Sequence, residues 1–114
     1  MENNNGNKER LEHILEAIHK IEEYTLKSNM EDFKNNSMLH DAVLLQLLII
    51  GEAIANTDNK ILEKFDYPWH LARSFRNFIA HKYFGINLKQ AWNTVNKDLP
   101  ELKKIVLKII DQEY

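Results

Sequence analysis

The chain has 114 residues, enough for one compact domain but short of two. A net charge of -2 excludes a general nucleic-acid coat, which needs a strong basic excess, and the lack of cysteine excludes disulfide frameworks and thiolate metal sites. Three glycines and two prolines leave few residues for hairpin turns, so helices are expected.

Residues 1–7 are asparagine-rich and are expected to form a disordered tail ahead of a single domain over 8–114. The opening "MENNNGNKER" has no apolar signal-peptide core, and the longest apolar run, "AVLLQLLII", is broken by Gln46 and too short for a bilayer. The expectation is a cytoplasmic protein with no membrane partner.

From Lys8 to about Lys27, Leu11, Ile14, Leu15, Ile18, Ile21 and Leu26 recur at helical spacings, which predicts an amphipathic helix. "SNMEDF" reads as a break and a short capped turn, with Ser28 or Asn29 at the cap and Glu31 and Asp32 where the helix dipole favours anions. The next helix, Ser37 to about Asn56, is apolar nearly all round over Val43 to Ile50 and must be buried on two faces. It is either the central helix of a bundle or also a subunit interface. Gly51 within it costs about 1 kcal/mol against alanine, which points to close approach of another backbone.

"ILEKF" suggests one helical turn, and Pro68 suits the first position of a helix running to about Tyr83. Gly85 should stop that helix ahead of a last one from Leu88 to about Asp111, which Pro100 should kink or split. Between Lys60 and Lys89 six Lys or Arg face only Glu63 and Asp66, a local balance of +4 that suits an anionic ligand.

On the helix after Pro68, with Arg76 at zero and 100° per residue, Tyr83 falls at about -20°, Arg73 at about 60°, Asn77 at about 100°, His70 at about 120° and His81 at about 140°. Phe75, Ile79, Leu71 and Phe78 take the opposite, core side. A lone Arg, His or Tyr is ordinarily part of a solvated face. All three at one set of spacings arise by chance in about one chain in a few hundred, from average residue frequencies. Metal-free RNA cleavage needs a base for the ribose 2′-hydroxyl, an acid for the leaving 5′-oxygen and a cation over the phosphate. Histidine serves the proton transfers and arginine the developing charge; asparagine beside them orients the histidine or binds phosphate. One histidine is a group short, so two chains bringing two such faces together would complete the set. Elsewhere, His13 and His19 lack a one-face ligand spacing and Trp69 and Trp92 read as core or interface anchors.

The stretch "RNFIAHKY" matches Arg, four residues, His, one residue, Tyr, at Arg76, His81 and Tyr83. With "DAVLLQLLIIGEAIAN", "YPWHLARSFRN" and "AWNTVNKDLPELKKII", the chain resembles the HepT-like ribonuclease toxins of the HEPN superfamily over Lys8 to Asp111. Ser74 departs from relatives that carry glycine shortly before the arginine. The resemblance implies an all-α, antiparallel, HEPN-like bundle of four to five helices that forms a homodimer. It implies a metal-independent endoribonuclease with no cofactor, the toxin of a type VII-like toxin–antitoxin pair, in which Arg76 and His81 are catalytic with Asn77 in support. Tyr83 would accept AMP from ATP, transferred by a minimal nucleotidyltransferase antitoxin. Arg73, Glu52 and His70 are candidates for lining the cleft. The rival reading is a non-catalytic nucleotide-binding or adaptor subunit of a nucleotidyltransferase complex.

Overall fold

The computed structural model describes residues 3–80 and 88–114, and among these every regular element is helical. The first helix, α1 (Asn3–Thr25), buries Leu11, Ile14, Ile18 and Ile21 of the expected stripe and adds Ala17, whereas Leu15 is only partly buried and Leu26, expected to continue the stripe, lies past the helix end and is 77% exposed. The helix starts earlier than the composition suggests. Residues 3–7, expected to belong to a disordered tail, are helical. The physical reason is Asn7, 2% exposed, whose Oδ1 accepts from Arg10 Nη1 and from the backbone N–H of Asp58, both at 3.2 Å. A tertiary hydrogen bond thus holds a segment whose composition alone would not order it.

Asn29 starts α2 (Met30–Asn35) with a reciprocal cap: its Oδ1 accepts from Asp32 N–H at 2.8 Å, and its own N–H donates to Asp32 Oδ2 at 3.1 Å. Phe33 from this helix is fully buried, its ring 5.2 Å from that of Trp92. Asn36 then caps α3 (Ser37–Ala55) through Leu39 N–H. One face of α3 buries Val43, Leu44, Leu47, Ile50 and Ile54. The whole helix is long and apolar enough, by length and composition, to cross a membrane, although the uninterrupted apolar run inside it is too short to do so.

The short α4 (Asn59–Leu62) is followed by Pro68 at the cap of α5 (Trp69–Arg73) rather than at its first turn. Trp69 anchors the junction, donating from Nε1 to the carbonyls of Leu62 at 2.9 Å and Phe65 at 3.2 Å. The expected continuous helix over this region is not regular: a 3-10 turn, Ser74–Arg76, separates α5 from α6 (Asn77–Ala80). The cap expected at Gly85 lies outside the described residues.

The last rod is α7 (Leu88–Asn93), a π-helical segment (Thr94–Asp98) and α8 (Leu99–Glu113). The break expected at Pro100 is taken up just before it: Leu99 N–H bonds the carbonyl of Thr94, five residues back, and Pro100 sits in the first turn of α8, where its missing N–H costs nothing. Asn96 Nδ2 adds a hydrogen bond to the Trp92 carbonyl at 2.9 Å.

Side-chain ties fix the directions. Asn7 near the start of α1 meets Asp58 just past the end of α3, and Lys103 near the start of α8 meets Glu22 near the end of α1 at 3.1 Å. Helix α1 therefore runs antiparallel to both, and the core lies between its Leu and Ile stripe and those of α3 and α8. This is the all-α antiparallel bundle expected.

Candidate active site

The site is built where the middle of the chain crosses α3. An added Cβ at Gly51 would stand 2.9 Å from the Arg76 backbone nitrogen and 3.0 Å from the Arg73 carbonyl oxygen. Backbone atoms have little room to give, so the absence of a side chain at Gly51 is what lets the 3-10 turn seat on α3. The close approach inferred from the sequence is thus made by the backbone that carries Arg76.

The 3-10 turn also re-aims the side chains. On a regular α-helix Arg73 and Arg76 stand about 60° apart, whereas residues three apart in a 3-10 turn nearly eclipse. Arg76 Nη1 reaches Glu52 Oε2 at 3.1 Å, and Arg73 Nη2 donates to Asn59 Oδ1 at 2.6 Å. Arg76 and Glu52 are 45% and 50% exposed, so the pair stands at the surface with its charges open to solvent. Asn77 begins α6 beside it and His70 lies on α5, both exposed.

Of the residues singled out from the sequence, the structure brings Arg76 and Glu52 into contact, while Arg73 is bonded to Asn59 instead. Among the described residues, no hydrogen bond or ion pair joins His70 or Asn77 to the pair. His81 and Tyr83 lie outside the described residues. The core face is as expected: Phe75 is buried, and Leu71, Phe78 and Ile79 pack against the core. Ser74, which departs from the glycine of relatives shortly before the arginine, donates from Oγ to the Leu71 carbonyl at 2.6 Å and lines a cavity of about 160 Å³ that Arg76 does not line. Asn59 was not anticipated, since nothing in its spacing marks it as the partner of Arg73. Among the described residues no three His, Asp or Glu side chains are grouped to hold a metal ion.

A guanidinium has five N–H donors in a fixed planar fork, and an exposed one supported by a neighbouring helix is suited to grip a phosphate. The family model for HepT-like ribonucleases matches residues 14–109.

The chain belongs to the HepT-like ribonuclease family.

It is 43% identical over 103 residues to a Methanocaldococcus jannaschii protein named "Gamma-glutamylcyclotransferase and putative RNase", covering 90% of this chain and 46% of that protein. The chain thus spans about half the length of that relative. It is 39% identical over 99 residues to a "Probable ribonuclease HepT" of Thermococcus cleftensis, covering 86% of this chain and 90% of that one. A "Putative RNase" of Caldanaerobacter subterraneus is 36% identical over 104 residues, with 90% and 93% covered. No solved structure matches the chain. Membership in this family carries a class of chemistry, the endoribonucleolytic cleavage of RNA.

Proposed function

We propose that this chain is the toxin of a type VII-like toxin–antitoxin pair, a metal-independent endoribonuclease of the cytoplasm whose working site is completed across a homodimer cleft. The observation that carries this reading is Arg76, raised to the surface on a 3-10 turn seated against Gly51, at the head of the Arg-x4-His-x-Tyr motif of a HepT-like ribonuclease. In the proposed reaction a base, supplied by His81 of one copy, takes the ribose 2′-hydroxyl proton. The 2′-oxygen then attacks phosphorus, the bond to the 5′-oxygen breaks, and a proton passes to that oxygen from the second copy's imidazole. Arg76 stabilises the charge gathering on the phosphoryl oxygens, and Asn77 supports it.

The dimer is supported by the outer face of α3. Met38, Leu45 and Ile49 are 83%, 45% and 37% exposed and share a helical stripe with Glu52. An apolar strip that leads into the arginine site suits a second copy bringing its own site alongside. Arg73 and His70 would line the edges of that cleft.

Silencing follows the same logic. A minimal nucleotidyltransferase antitoxin would transfer AMP from ATP to the Tyr83 hydroxyl, releasing pyrophosphate. The added phosphate would compete for Arg76 and repel RNA.

The test is expression of the wild type, Arg76→Ala and His81→Ala without the partner. Growth arrest and RNA fragments from the wild type alone support the reading. Harmless expression of all three favours the adaptor subunit. Incubation with ATP and the nucleotidyltransferase should add AMP masses that Tyr83→Phe abolishes, and masses that persist in that variant place the modification elsewhere.

A further inference from the structure

We infer that Glu52 is a positioning residue for the nuclease reaction: its carboxylate parks the Arg76 guanidinium at the mouth of the site and yields it to the RNA phosphate. The inference rests on the nuclease reading and adds to it a residue acting through the arginine.

The two positions next to each other on α3 divide the work. Gly51 fixes where the Arg76 backbone lies, with an added Cβ meeting Arg76 N at 2.9 Å and the Arg76 Cβ at 3.2 Å. Glu52 then fixes where the long side chain points, through Oε2 at 3.1 Å from Nη1. Arginine carries much rotamer freedom, and a catalytic cation must be aimed before substrate arrives for its charge to act without reorganisation.

Exposure decides what the pair is for. With both side chains about half exposed, an ion pair contributes little to stability, so folding gives it no strong purpose. The contact uses one carboxylate oxygen and one guanidinium nitrogen rather than a two-pronged fork. A phosphodiester offers two non-bridging oxygens and can take the fork geometry instead. The carboxylate is thus strong enough to hold a rotamer and weak enough to be displaced. It also places a negative charge beside the phosphate position, so it opposes binding of the ground state while preparing the cation for the reaction.

This double effect has a kinetic signature. Glu52→Gln removes the competing charge and loosens the arginine, so KM for an oligoribonucleotide should fall about threefold while kcat falls about tenfold. Glu52→Asp keeps the charge but shortens the reach from α3, and should lower kcat without lowering KM. Melting temperatures of both variants should match the wild type. A Glu52→Gln variant with unchanged constants overturns the inference, as does a fall in kcat with KM unchanged or raised, or a loss of melting temperature that accounts for the lost rate. A wild type that cuts no RNA overturns the nuclease reading instead. Binding of a 2′-O-methyl oligonucleotide separates the two failures: about threefold tighter binding by Glu52→Gln supports displacement of the carboxylate by phosphate at Arg76, and equal binding overturns the inference whether or not RNA is cut.

Discussion

The two faces of α3 are made of similar residues and put to different uses. On the inner face Val43, Leu44, Leu47, Ile50 and Ile54 are wholly buried against the rest of the core. On the outer face Leu45 and Ile49, one or two positions away, remain in large part open to water. Glu52 ends the outer stripe, and Gly51, buried next to it, is where the helix meets the turn carrying Arg76. The inner face accounts for the core of one chain; the outer apolar stripe is only partly covered among the described residues, and this is the physical support for the proposed second copy.

Substitutions can break or sharpen that contrast. Leu44→Ala should cost about 2–5 kcal/mol in denaturant unfolding, because it opens a cavity in a packed core. A loss below about 1 kcal/mol would mean that the inner face is loosely packed. Gly51→Ala should cost about 1–3 kcal/mol by forcing the 3-10 turn off α3, and should lower RNA cleavage at temperatures where the chain remains folded. A stabilised variant would show that the turn has room to move. Ile49→Glu should change unfolding of a dilute chain by about 1 kcal/mol or less, yet, on the proposed dimer, shift sedimentation from dimer to monomer and lower cleavage. A variant that sediments as the wild type removes α3 from the interface.

The last effect shows only at high pH and comes from Tyr67, which packs against the edge of the core with its ring 4.8 Å from that of Trp69. Burial, aided by Asp98 and Glu101, pushes its phenol from 10.0 up to about 12. The folded chain therefore holds this proton more tightly than the unfolded chain does. The associated stability is complete below pH 10 and is lost as pH rises from 10 towards 12. Thermal unfolding followed across that window should show a decline that Tyr67→Phe reduces; identical profiles would remove Tyr67 as its source.

Local signals in the sequence carry far. The stripe of α1, the Asn29 cap, the boundaries of α3 and the break ahead of Pro100 are each set by residues within a turn or two of one another. Gly51 is legible as a close-approach position for the same reason, although its partner is not. What escapes depends on distant contacts. The ordering of residues 3–7 rests on an Asn7 bond to Asp58, 51 positions on. The 3-10 geometry of Ser74–Arg76 is bound up with the packing at Gly51. Arg76 and Glu52 are 24 positions apart and Arg73 and Asn59 are 14, so no helical spacing announces either pair.

The π-helical segment Thr94–Asp98 has a consequence for how this chain can change in length. Its widened turn holds more residues than an ordinary one, as if one residue had been inserted between α7 and α8. Each inserted residue rotates the downstream part of a helix by about 100°. Deleting one there would restore a uniform ladder while swinging Leu102, Val106 and Ile109 away from the interior they now fill. The irregularity therefore acts as a phase shifter: it lets one continuous rod present Trp92 to Phe33 at one end and an aliphatic edge to α1 at the other.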